Sequence, residues 1–223
     1  MPLYLQHKEE TCSWGIWRID ETEEALLSLL PHAEDYARVM AGKYTSPYRR
    51  LEWLAVRVLL FTLLGEEKEI AYLPSGKPYL TDGSYALGIS HTKGYAAVIW
   101  GRADSEVGID IEQAGERVRK VARRFMRPDE VAAPFEGDDV WSMLLHWSAK
   151  ETLFKCLNES EVDFKEHFRI FPFSPQWQGC FEACEYKTGR RQLFRVAYRI
   201  TPDFVLTWTV GPAGIIPSLH GEK

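Results

Sequence analysis

Two short segments hold the residues best suited to chemistry: Gly108-Ile109-Asp110-Ile111-Glu112, and later Trp147-Ser148-Ala149-Lys150-Glu151-Thr152-Leu153-Phe154-Lys155. In the first, apolar and acidic residues alternate. On a strand, Ile109 and Ile111 enter the core while Asp110 and Glu112 share the opposite face. In the second, helical spacing sets Trp147, Glu151 and Lys155 on one stripe. Two carboxylates from a strand and one from a helix are hard oxygen ligands, half of a Mg²⁺ shell, with water and a phosphate substrate left to complete it. Each segment alone also has a plainer explanation. Two solvated acids on a half-exposed strand account for the first, and an i,i+4 ion pair worth about 0.3–0.5 kcal/mol accounts for Glu151 and Lys155. It is their joint presence that points to a site.

The elements that must position these residues are legible around them. Strands are expected near Leu3 to Gln6 and Trp14 to Ile19. Pro47, after Thr45-Ser46, suits the start of a helix over Tyr48 to Leu64, which Gly65 ends. Turns at Pro74-Ser75-Gly76 and Asp82-Gly83 precede a hairpin of Tyr85 to Ser90 with Tyr95 to Trp100. The second half reads as a strand Val107 to Glu112, a helix near Val118 to Met126, a long helix Val140 to Leu157, and strands Gln178 to Tyr186, Gln192 to Ile200 and Phe204 to Val210. Trp147 is expected to anchor its helix in the core.

The chain has 223 residues and a net charge of −5, a poor match to nonspecific nucleic-acid binding. No apolar run reaches the length of a membrane span, and the N-terminus lacks a basic start and a cleavage site, so a cytoplasmic location is the default. The cysteines Cys12, Cys156, Cys180 and Cys184 have no zinc spacing and are expected as small buried thiols. Residues 113–127 contain six basic residues against one acidic. Val118, Val121, Ala122 and Phe125 give this stretch an apolar stripe, so it reads as an amphipathic helix with a cationic outer face.

The two chemical segments resemble the signature motifs of the 4'-phosphopantetheinyl transferases, G-[IV]-D-[IV]-E and W-x-x-K-E-x-x-x-K, at every fixed position, in the manner of the larger, surfactin-type branch. The resemblance implies an α+β fold with a pseudo-two-fold axis: two similar halves, residues 1–103 and 104–223, each with a small antiparallel sheet and a long helix, and the active site in the crevice between. It implies transfer of the phosphopantetheine arm of coenzyme A to a serine of an apo acyl or peptidyl carrier protein, with release of adenosine 3',5'-bisphosphate. Mg²⁺, or Mn²⁺ in its place, would be held by Asp110, Glu112 and Glu151. Glu151 would also serve as general base, Lys155 would neutralise the α-phosphate, and Lys150 would lie near the phosphates.

Further segments carry the same resemblance. Gly88-Ile89-Ser90-His91-Thr92 is similar to an S-H-[ST] element that sets Ser90 and His91 on the nucleotide 3'-phosphate. Gly76-Lys77-Pro78 resembles a G-K-P turn, and Arg50, Glu52 and Arg57 resemble an R-x-E-x-x-x-x-R helix facing the same phosphate. The basic helix corresponds to the family's docking segment for the acidic helix of carrier proteins, with Arg117, Lys120 and Arg124 steering and Phe125 or Met126 as apolar contact. Residues 22–32 lack the lysines that some relatives use on the phosphate. That contact would then be absent or fall to Lys43, Arg49 or Arg50. Thr152 stands where serine or alanine is commoner, a change expected to be neutral. A monomer is expected, because fused halves remove the need for a second subunit. The competing readings are a metal-dependent phosphodiesterase or nuclease and a non-catalytic carrier-binding protein. The second would predict loss of a ligand, and all three acids are present.

Overall fold

The computed structural model describes residues 3–157 and 159–211. A first hairpin, Leu3–Lys8 (β1) with Cys12–Arg18 (β2), leads to helices Glu23–Leu27 (α1), Ala33–Lys43 (α2) and Pro47–Leu64 (α3). Strands Ile70–Tyr72 (β3) and Pro78–Leu80 (β4) form a small ladder, followed by the hairpin Tyr85–Thr92 (β5) and Tyr95–Arg102 (β6). Val107–Gln113 (β7) is followed by Arg117–Phe125 (α4), Val140–Leu157 (α5), Phe164–His167 (α6), Phe168–Ile170 (β8), Gln178–Glu185 (β9), Leu193–Ile200 (β10) and Phe204–Val210 (β11).

The strands make a four-stranded sheet in the order β1-β2-β6-β5 and a five-stranded sheet in the order β7-β11-β10-β9-β8. All pairings are antiparallel. α3 lies on β2 and β6, and α5 lies on β7 and β11. α3 starts at Pro47, whose missing N–H costs nothing in a first turn. It ends at Gly65 with φ 73°, a left-handed cap whose N–H bonds to the Phe61 carbonyl.

Each sheet buries one core beneath its long helix. A third core joins them: Trp14, Ile16 and Ile99 of the first sheet pack with Ile109, Phe204 and Leu206 of the second. The line of β7 against β6 is apolar at this core, while β5 lies beside β7 next to the chemistry.

The long helices and hairpins fall where apolar periodicity puts them. β8 and α6 were not expected, since runs of three and four residues are too short to display a period. Of the four cysteines, all free, Cys12, Cys156 and Cys184 are buried as expected, but Cys180 is exposed. It lies on the outer side of β9, in the exposed run Gln178 to Cys180. Among the described residues, no helix is long and apolar enough to cross a membrane.

Candidate active site

β7 and α5 approach more closely than a side chain would allow. A Cβ on Gly108 would collide with the Thr152 carbonyl oxygen, so this glycine admits the helix onto the strand. Buried hydroxyls then fix the contact. Thr207 on β11 shares hydrogen bonds with Ser148 (2.8 Å) and Thr152 (2.6 Å), and Ser148 donates to the Asp110 carbonyl at 3.3 Å. Thr152 thus does specific work in docking α5 onto the sheet.

This docking covers the acids. Ile109 and Ile111 are core residues as the alternation requires, but Asp110 is only 2 % exposed, so the reading of two solvated carboxylates fails. The cause is that β7 has α5 on one face and β5 beside it. Asp110 Oδ1 accepts from Lys155 Nζ (2.6 Å) and Ser90 Oγ (3.0 Å), and Lys155 also donates to Ser90 Oγ (2.8 Å). Ser90 in turn accepts the Ile111 N–H. One serine, one aspartate and one lysine therefore tie β5, β7 and α5 together. Trp147 Nε1 donates to Glu112 Oε1 at 2.8 Å while its ring packs on Phe125 and Phe164, so it orients a carboxylate as well as anchoring a helix.

These groups line a pocket of about 550 Å³. Asp110, Glu112, Glu151 and Lys155 form one wall. Ser90, His91, Arg49, Glu52 and Arg57, with Tyr44 and Tyr72, line the rest. Burial, then the charge of Asp110, pushes the Glu112 and Glu151 carboxyls up to about 7. Three carboxylates face one ammonium, so this wall lacks positive charge. Opposite, the nearly buried Glu52 holds Arg49 (2.9 Å) and His91 Nδ1 (3.1 Å). Burial draws His91 below its ordinary value, partly offset by Glu52. Arg57 lies 3.5 Å over the Trp53 ring and donates to the Trp53 carbonyl; burial lowers its pKa.

Among the described residues, no three His, Cys, Asp or Glu side chains converge into a preformed metal cage. The donor set nevertheless fits a hard divalent cation: three carboxylates line one pocket, and Asp110 Oδ2 is buried without a partner. An orphaned carboxylate oxygen in a desolvated wall is costly unless a cation completes it.

Not every expected residue reaches this pocket. Lys150 is fully buried, donating to Glu130 Oε2 (2.8 Å) and the Phe125 carbonyl (2.6 Å). Glu130 also accepts the Arg127 and Ile170 N–H groups, so Lys150 belongs to a buried brace behind α4, away from the phosphate position expected for it. Its place one position before Glu151 turns it to the other side of α5. Arg50 donates to the Tyr44 carbonyl and lies 3.6 Å from Glu23; the adjacent Arg49 lines the pocket instead. Lys77 donates to the Cys156 carbonyl at 3.0 Å, while its neighbours Gly76 and Pro78 line the pocket. On α4, Arg117, Lys120 and Arg124 are exposed, Met126 is half-buried, and Phe125 is core at 1 % exposure. The helix-face register of Arg49, and the acceptor that Glu112 offers Trp147, were not visible in residue spacing.

A second groove, about 620 Å³, runs from Glu112 and Trp147 along Arg117, Val118, Val121 and Leu144. All three acids and the whole of α4, β7 and α5 lie inside one matched segment. Residues 106–208 match the family model of the 4'-phosphopantetheinyl transferase superfamily. No curated protein matches the chain. The superfamily segment takes in Asp110, Glu112, Glu151 and Lys155, whereas Arg49, Glu52 and His91 across the pocket lie before it.

Proposed function

We propose that this chain is a 4'-phosphopantetheinyl transferase of the larger, two-halved kind, which moves the phosphopantetheine arm of coenzyme A onto a serine of an apo acyl or peptidyl carrier protein. The observation that carries this reading is the pocket in which Asp110, Glu112, Glu151 and Lys155 of the superfamily segment face Arg49, His91 and Arg57 of the preceding residues. Such a pocket brings carboxylates suited to a cation together with guanidinium groups suited to a nucleotide phosphate.

Asp110, Glu112 and Glu151 would hold Mg²⁺, which when bound supplies Lewis-acid and templating chemistry on a pyrophosphate. The nucleotide phosphate would sit toward Arg49, His91 and Arg57, where guanidinium groups offer fixed donor pairs. Lys155 neutralises charge on the leaving adenosine 3',5'-bisphosphate, with Ser90 setting its position from below. Glu151 accepts the proton of the attacking serine hydroxyl, a role worth roughly 10²–10⁴-fold in rate. The carrier would approach along α4 and its groove. Arg117, Lys120 and Arg124 are exposed there and make no ion pair among the described residues, in contrast to Arg119, which is tied to Glu116, Asp138 and Asp139. Residues 1–103 and 104–223 act as the two halves in this reading, and the protein works as a monomer in the cytoplasm.

Incubation with apo carrier protein, coenzyme A and Mg²⁺, followed by intact mass, tests the proposal. A mass gain of one phosphopantetheine that EDTA abolishes supports it. Cleavage of coenzyme A with the carrier left unmodified would point to a phosphodiesterase, and inert coenzyme A with a bound carrier to a non-catalytic binder.

A further inference from the structure

A third cavity, about 630 Å³, shares no residue with the candidate active site. It is lined by His7 and Trp14 of the first sheet and by Cys180, Arg195, Arg199 and Trp208 of the second. Cys180 is exposed, whereas Cys12, Cys156 and Cys184 are buried. Its Sγ receives two donors from one guanidinium, Arg195 Nε at 3.2 Å and Nη2 at 3.1 Å. The cross-strand neighbour of Arg195 is Glu182, the ordinary partner for an arginine in an antiparallel pair, yet the guanidinium turns to the sulfur.

Two further features point to a ligand. Among the described residues, no carboxylate pairs with Arg195 or Arg199; Arg199 donates only to Gln178 Oε1. Trp14, 1 % exposed, lines the same cavity and carries an indole N–H with no acceptor. The acid lining this cavity, Glu9, is held by His7 at 2.6 Å. The cavity therefore combines a thiol, two guanidinium groups lacking a carboxylate and an unused buried donor, with the Trp208 and His7 rings around them.

We infer that this cavity receives a small anionic disulfide of the glutathione-disulfide class and that Cys180 forms a mixed disulfide with it. The Cys180 sulfur, its proton lost to water, attacks one sulfur of the incoming disulfide. The new S–S bond forms as the old one breaks, and the departing thiolate takes up a proton. The disulfide is itself the oxidant, so the exchange balances without another reagent. Arg199 and Arg195 are placed to meet the ligand's carboxylates.

The test uses the full chain in its native state with two probes, the dianionic aryl disulfide DTNB and the uncharged hydroxyethyl disulfide, each rate normalised to that of free cysteine. One thiol per chain should react rapidly. The normalised DTNB rate should exceed the normalised hydroxyethyl disulfide rate about tenfold or more and fall as salt is raised. Cys180→Ser should abolish the rapid phase, and Arg199→Gln should lower the DTNB rate while sparing the neutral probe. Glutathione disulfide should add one glutathione, mapped by peptide mass to Cys180. Equal normalised rates for the two probes, indifference to salt in the wild-type chain, or an adduct mapped to another cysteine would each overturn the inference. The wild-type salt series decides the matter even if a variant fails to fold.

Discussion

At the scale of single residues, the site depends on groups that hold other groups. Trp147 donates to Glu112, so Trp147→Phe should keep the packing on Phe125 and Phe164 but release the carboxylate. Loss of such a supporting hydrogen bond typically costs 10–100-fold in metal affinity or activity. The expected outcome is therefore a Mg²⁺ requirement shifted upward by about that factor with little change in Tm, read from a metal titration of the transfer rate beside a melting curve. Lys150 makes the opposite case. Lys150→Met leaves the Glu130 carboxyl without its partner in the core, and removal of one partner of a buried pair costs about 3–5 kcal/mol. Denaturant unfolding should register that loss, while KM for coenzyme A in the folded fraction stays within about twofold. A tenfold rise in KM at unchanged stability would instead return Lys150 to the phosphates. The acids and the lysine of the motifs could be singled out from their spacing. Which lysine reaches the pocket could not, because Lys150 and Lys155 differ in the neighbours that α5 meets, and those come from distant β and loop segments.

At the scale of elements, the decisive contact is α5 on β7. Gly108→Ala introduces a methyl against the Thr152 carbonyl, and backbone cannot rotate away as a side chain does. Such overpacking costs about 1–3 kcal/mol, and here it should also move Glu151 and Lys155 relative to Asp110. We expect a lower Tm together with a lower kcat, the second persisting at temperatures where the variant is fully folded; an unaltered kcat there would detach the glycine from the site. The bounds of α5 and the strand character of β7 were readable because each has enough length to display its period. The hydroxyl latch of Ser148, Thr152 and Thr207 was not, since Thr207 lies on β11 and nothing local marks it as a partner of α5.

At the scale of the whole molecule, gathering the buried Asp110 and the half-buried Glu112 and Glu151 in one pocket has a cost that pH should reveal. Glu112 and Glu151 rise from 4.5 to about 7 through burial and the charge of Asp110. For a carboxyl raised in the folded state, stability is fully present below 4.5 and is lost as pH climbs to about 7. Metal-free protein should thus melt progressively lower across that window. Saturating Mg²⁺ should shrink the decline, and Glu151→Gln should lessen it, leaving the share that Glu112 carries; a Tm that rises through the same window in EDTA would contradict the site's electrostatics. The amino-acid sequence alone determined the order of the principal elements, the extents of α3 and α5, the three acids and the cationic stripe of α4, because periodicity and residue chemistry are local properties. Only the tertiary structure decided that Asp110 is buried, that Arg49 rather than Arg50 lines the pocket, that Lys150 braces the interior and that Cys180 stands exposed beside Arg195. Those facts depend on which distant surfaces meet, and burial, pairing and desolvation exist only after they do.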